Sequence, residues 1–178
     1  MGRVLLVDDE GNVLSALRRA LRRAFPDGEL QIETCDDARR ALERVAAMPF
    51  DAVVSDYRMP AMNGVAFLKE VRKLQPDAVR LILSASTDFD TLMAALNEAE
   101  IFRYIIKPWA EDELIGAVRE ALARRAQTQE DRRLADEQRL QQGEISAEEL
   151  ERRRLEAEDP GITRVNWGPD GSIRLEDI

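Results

Sequence analysis

The chain has 178 residues, 44% of them hydrophobic, and a formal net charge of −9. That length fits one domain with an appendage or a small second domain, and the apolar share supports a buried core. The acidity disfavours DNA or an anionic membrane as the main partner, since both reward a basic surface, and the absence of histidine excludes Ser/His/Asp and Cys/His triads, histidine-bound metals and phosphohistidine carriers together.

The first apolar run, Val4-Leu5-Leu6-Val7, is a strand pattern that begins too early to leave room for a signal peptide. Leu6 also breaks the myristoylation pattern that Gly2 would open. Leu14, Leu17, Leu21 and Phe25 follow at helical spacing. A second strand is expected at residues 30–34, ending beside Cys35. One cysteine allows no internal disulfide and suits a reducing compartment. Ala41, Leu42 and Val45 mark the next helix, residues 52–55 a third strand, and Val65, Leu68, Val71 and Leu74 a helix after it. Residues 79–83 and 104–106 are the fourth and fifth strands, with a helix marked by Leu92, Leu96 and Ala99 between them. Short unbroken runs of this kind are read as strands buried on both faces, and their alternation with helices implies a parallel sheet covered on both sides. Five such units in about 120 residues predict an α/β, flavodoxin-like, five-stranded parallel sheet of order 2-1-3-4-5.

A long helix starts near Ala110, its first turns striped by Leu114, Val118 and Leu122. From Arg124 the sequence becomes highly charged, which is read as a solvated helix face, with pairing to a second helix as the alternative. Gly143 is placed as a helix C-cap, and Ser146-Ala147-Glu148-Glu149 as a capping box opening a short helix that ends near Glu158, before Pro160-Gly161. Then the period changes. Val165 and Trp167, the loop Pro169-Asp170-Gly171, and Ile173 and Leu175 predict a C-terminal β-hairpin with four apolar side chains on one face. No apolar run approaches the roughly 18 residues a membrane span needs, so the expected location is cytoplasmic, without membrane contact.

Asp8 and Asp9 follow the first strand, Asp56 the third, Ser84 the fourth and Lys107 the fifth. In a parallel sheet these ends share one edge, and ligands bind where the strand order reverses, between strands one and three. Crowded carboxylates need a compensating cation. Mg²⁺ suits a site with few protein ligands plus phosphate and water, and Lys107 and Ser84 add a charge and a hydroxyl. A carboxylate nucleophile, a metal, a lysine and a hydroxyl together describe phosphoryl transfer onto Asp56.

The quartet Val7-Asp8-Asp9-Glu10, Ser55-Asp56-Tyr57-Arg58-Met59-Pro60 with Met62-Asn63-Gly64, Leu83-Ser84-Ala85, and Tyr104-Ile105-Ile106-Lys107-Pro108 resembles the receiver domains of two-component response regulators. The resemblance implies Asp56 as phospho-acceptor. It implies Mg²⁺ held by Asp9 and Asp56 directly, by Asp8 through water and by the Arg58 backbone carbonyl. Ser84 and Lys107 would bind the phosphoryl group, Ser84 and Tyr104 would form a switch pair, and Lys107-Pro108 would be cis. Phe102 to Trp109 is similar to receivers that precede cyclic-dinucleotide phosphodiesterase domains, although no such output domain is expected here.

Two positions depart from the usual pattern: Arg58, two past Asp56, and Ser86, two past Ser84. In the family these side chains flank the path of hydrolytic water, so both are expected to tune phosphoryl lifetime. The expected organisation is a receiver domain at 1–124, a helical extension at 125–159 and the hairpin at 160–178. The implied function is a response regulator that signals through phosphorylation-dependent protein–protein interaction or dimerisation. Its partners would be a sensor histidine kinase or phosphotransfer protein, a second copy of itself and a downstream protein. The chain would not be an enzyme beyond its own phosphorylation and dephosphorylation. A constitutive adaptor that keeps the fold without using phosphorylation is the alternative; intact Asp9, Asp56, Ser84 and Lys107 argue against it. DNA binding is not expected, because the short helix carries Glu148, Glu149, Glu151, Glu156 and Glu158. Residues 134–155 also resemble short helical-hairpin oligomerisation modules.

Overall fold

The computed structural model describes residues 1–26, 28–85 and 99–158. The helix expected around Leu92 and Leu96, Ser86, and the hairpin at 160–178 lie outside these. The chain divides into two compact units, with the boundary between Asp131 and Arg132.

The first unit is built on five parallel strands: β1 (Gly2–Val7), β2 (Leu30–Cys35), β3 (Ala52–Asp56), β4 (Val79–Ser84) and β5 (Arg103–Ile106). Their order is β2-β1-β3-β4-β5, as the sequence predicts. Helices α1 (Gly11–Ala24), α2 (Ala38–Ala47), α3 (Gly64–Leu74) and α4 (Glu111–Gln141) connect or follow the strands. Side chains alternate across the sheet. Val4 and Leu6 join one core with Leu17, Leu21, Leu114 and Val118 of α1 and α4. Leu5 and Val7 join the other with Val45, Phe67 and Leu68 of α2 and α3. Both faces of the central strands are therefore dry, which is why their sequences carry no polar alternation. Each fully buried leucine or valine contributes about 1.5–3 kcal/mol.

The outer strands depart from that expectation. β2 and β5 are edges with one neighbour each, and in β5 only Ile105 is fully buried while Ile106 is 47% exposed. Leu74, assigned above to a helix's apolar stripe, is 47% exposed at the end of α3. Phe25 lies just past α1, donating its N–H to the Leu21 carbonyl.

Local signals set the helix starts. The Asp37 carboxylate accepts from the N–H groups of Arg39 and Arg40 ahead of α2, and the Asn63 side chain accepts from Ala66 ahead of α3. Gln75 holds the connection between α2 and β3: its Oε1 accepts the Phe50 N–H at 2.8 Å, and its Nε2 donates to the carbonyls of Val45 and Met48. The charged run does not face solvent throughout. The Arg125 side chain is 11% exposed and lies 3.1 Å from Asp77 and 3.6 Å from Asp51, the residues ahead of β4 and β3.

In the second unit, α4 ends at Gln141. Gly143 follows at φ +74°, and the Glu144 N–H bonds to the Arg139 carbonyl, the helix stop expected there. Ser146 Oγ accepts the Glu149 N–H at 3.1 Å and opens α5 (Ala147–Glu158). Arg153 bridges Asp136 of α4 and Glu149 of α5. Among the described residues, no helix is long and apolar enough to cross a membrane.

Candidate functional site

The strand order places β1 beside β3, so the residues following β1 meet the last residue of β3. Asp8 and Ser84 are fully buried and Asp56 nearly so, whereas Asp9 is exposed beside them. Lys107, which follows β5, completes the cluster. Its ammonium donates to Asp8 Oδ2 at 2.8 Å and pairs with Asp56 Oδ1 at 2.6 Å. The other carboxylate oxygens meet backbone: Asp8 Oδ1 accepts the Glu10 N–H at 2.9 Å, and Asp56 Oδ2 the Arg58 N–H at 2.6 Å. Residues about a hundred apart in sequence thus share one hydrogen-bonded centre.

Burial, the largest influence on Asp8, pushes its carboxyl above the ordinary range, against the lowering effect of the Lys107 and Glu10 hydrogen bonds. Burial alone would pull Lys107 down. Its hydrogen bonds to Asp56 and Asp8, with their charges, outweigh that and hold the ammonium above its usual value. With both carboxylates ionised, two negative charges face one positive, and the deficit invites a further cation. The carboxylates gathered here, Asp8 and Asp56 with exposed Asp9 next to Asp8 in the chain, offer oxygen donors only. Among the described residues no three Asp, Glu, Cys or His side chains form a ready cage. That combination fits Mg²⁺, which keeps several waters and takes one or two protein carboxylates.

The backbone around Asp56 is tightly built. Tyr57 N–H bonds to the Leu83 carbonyl, and Gly64 N–H to the Tyr57 carbonyl at 2.9 Å. A Cβ on Gly64 would stand 2.1 Å from the Asp56 carbonyl oxygen. Only glycine lets α3 start this close behind the acidic residue. Gly64 was part of the motif above, but its steric role requires the return of the chain onto Asp56, which spacing alone does not reveal. Ala61, in the same loop, sits at φ +64°, a left-handed conformation unusual for a residue with a side chain.

Ser84 ends β4, and Tyr104 pairs with Ile82 two rungs earlier on β5. Alternation puts both side chains on the α2/α3 face, where Tyr104 is half-buried against the core. Arg58 is exposed at the mouth of the site. The Lys107-Pro108 peptide is cis, as the resemblance implied. Trp109 packs half-buried on the opposite core, and Cys35 is buried, its thiol donating to the Asp37 carbonyl.

The response regulator receiver domain family matches residues 4–119. The chain is 44% identical over 119 residues to the hydrogenase transcriptional regulatory protein HoxA of Cupriavidus necator, covering 67% of this chain and 24% of that protein. It is 35% identical over 126 residues to the transcriptional regulatory protein PrrA of Mycobacterium tuberculosis, covering 71% and 52%. The match therefore spans about a quarter of the first relative and half of the second. Among solved structures, the signal receiver domain of an HD domain-containing protein from Pseudomonas fluorescens aligns at a TM-score of 0.66 with 32% identity, over 71% of this chain and 98% of that one.

Proposed function

We propose that this chain, which belongs to the response regulator receiver domain family, is a two-component response regulator that takes a phosphoryl group on Asp56 and signals through a change in protein–protein contact. The observation that carries the reading is the half-buried Lys107 ammonium shared between Asp8 and Asp56 at the point where strand order reverses. The chemistry this centre supports is modification of its own carboxylate.

In this reading a phosphohistidine of a sensor kinase or phosphotransfer protein is the donor. A carboxylate oxygen of Asp56 forms a bond to phosphorus as the phosphorus–nitrogen bond breaks, and the leaving imidazole nitrogen keeps the electron pair. Lys107 pairs with a phosphoryl oxygen, and the Arg58 N–H holds the Asp56 carboxylate in place. Asp9, Asp56 and the Arg58 carbonyl, with Asp8 through water, would hold Mg²⁺, which when bound would neutralise charge on the transferring group. Ser84 then donates its hydroxyl to the phosphoryl group, and Tyr104 follows into the space it leaves. Residues 1–124 act as the receiver, 125–159 as a helical extension and 160–178 as a hairpin that serves assembly or target capture.

The test is incubation with phosphoramidate and Mg²⁺ followed by intact-mass analysis. One phosphoryl group should appear on the wild-type chain and none on Asp56→Asn. Equal labelling of the variant would remove Asp56 as the acceptor, and no labelling of the wild type would replace this reading with that of a constitutive adaptor.

A further inference from the structure

β5 is the least self-sufficient strand of the sheet, yet Lys107 hangs on its end. It has four residues, one neighbour and a single fully buried side chain, Ile105. A burial pattern that sparse specifies register weakly, and a one-residue slip would turn every side chain to the other face. Something other than hydrophobic patterning must fix where β5 begins.

Arg80 supplies it. This arginine interrupts the apolar run of β4 and is only 6% exposed. Its backbone carbonyl accepts the Phe102 N–H at 2.8 Å, immediately ahead of β5. Its guanidinium donates to the Ala99 carbonyl at 2.8 Å, the Glu100 carbonyl at 3.4 Å, and the Ala78 and Pro76 carbonyls at 2.6 and 3.1 Å. Glu100 sits at φ +48°, and its carboxylate lies 3.7 Å from Arg80 and 2.5 Å from Arg72. Residues 99, 100 and 102 are thus all tied to one residue of β4. At the far end of the same strand, about 13 Å away at 3.3 Å per residue, the Ser84 carbonyl accepts the Lys107 N–H at 2.8 Å.

We propose that Arg80 is a positioning residue for the phosphoryl site: by clamping residues 99–102 onto β4 it sets the β4–β5 register, and the register delivers Lys107 to Asp8 and Asp56. Only a planar fork of donors serves this purpose, because several carbonyls from two separate segments must be met at once. Lysine, a single point charge, cannot span them. Removing the guanidinium leaves the carbonyls of buried Ala78 and Ala99 without this donor, and the strand's start is then free to shift. The consequence for phosphorylation rests on the reading of Asp56 given above; the hold on β5 does not.

The experiment uses the full chain with Arg80→Met, Arg80→Lys and, as a control, Val45→Ala, a buried α2 position remote from β5. Amide hydrogen exchange of Phe102 and Lys107 is measured without metal or phosphodonor, and phosphoramidate labelling of Asp56 with Mg²⁺. Both arginine variants should exchange these two amides faster by about tenfold relative to β1 amides. Their labelling should slow by about tenfold or more, as expected for a misplaced lysine. Val45→Ala should lose stability to urea without selective change at either amide or in labelling. If Arg80→Met does not fold, Arg80→Lys carries the test. Exchange and labelling that merely follow global stability, as in the control, overturn the proposal. A wild-type chain that takes no label sinks the phosphorylation reading instead, and the exchange arm still decides whether Arg80 places Lys107.

Discussion

Gly64→Ala places one methyl group against the backbone of the acceptor. The added Cβ would lie 2.1 Å from the Asp56 carbonyl oxygen, 2.9 Å from its carbon and 3.0 Å from Tyr57 Cα. Ordinary contact begins at 3.4 Å, so the α3 start and the Asp56–Tyr57 peptide must separate by about 1.3 Å, the difference of 3.4 and 2.1. Both sides are backbone, and no side chain can swing aside. Overpacking of this kind costs about 1–3 kcal/mol, and the Gly64–Tyr57 hydrogen bond would be lost with it, worth about 1 kcal/mol. A total near 2–4 kcal/mol should appear as a lower urea midpoint with an unchanged slope. The functional effect should be larger than the stability effect, because a displacement of about 1 Å at a reacting group costs on the order of a hundredfold in rate. Labelling of Asp56 by phosphoramidate measures it in protein still folded. Gly116→Ala is the control: nothing lies within 4 Å of its would-be Cβ in α4. That change should stabilise by about 0.5–1 kcal/mol through helix propensity. A Gly64→Ala variant with wild-type urea midpoint and wild-type labelling would refute the steric account.

Burial raises the Asp8 carboxyl, so its ionised form is disfavoured by the fold. The stability tied to its protonated form is fully present below the ordinary value near 3.9 and fades as pH rises through the raised folded value. Mg²⁺ affinity should run the opposite way, climbing with pH through that same window, and Asp8→Asn should flatten the climb in a Mg²⁺ titration; an unaltered pH profile would count against Asp8 as part of the metal site. Arg58→Ala should shorten the life of the aspartyl-phosphate, because the exposed guanidinium at the mouth can pair with a phosphoryl oxygen and obstruct water. Unchanged or slower loss of label in the variant contradicts that role. Beryllofluoride with Mg²⁺ should promote self-association, read by light scattering at tens of micromolar, and truncation after Pro160 should alter the result while leaving Asp56 labelling intact. A monomer in both states would argue against dimerisation as the output.

The strands were legible because their runs are short, apolar and separated by helical spacing, and β1, β3 and β4 fall where those runs predict. The order of the sheet followed from the alternation of elements, and the convergence of Asp8, Asp56 and Lys107 followed from the order. The exposure of the edge strands is not legible, because a four-residue apolar run is the same whether one face or two are covered, and Ile106 is half exposed. Contacts assembled from distant backbone were not legible. Gly64 needs the Asp56 carbonyl behind it, and Arg80 needs the carbonyls of residues 99 and 100. Arg125 lies within a charged run whose spacing predicts solvation, but its carboxylate partners Asp51 and Asp77 arrive from two separate strand connections.

The most direct measurement is fluorine NMR of the full chain with beryllofluoride, which mimics the aspartyl-phosphate. The account predicts a slowly exchanging bound signal with wild-type protein and Mg²⁺, lost on chelation of the metal and absent in Asp56→Asn. A bound signal that survives either the chelator or the Asp56→Asn substitution would contradict it.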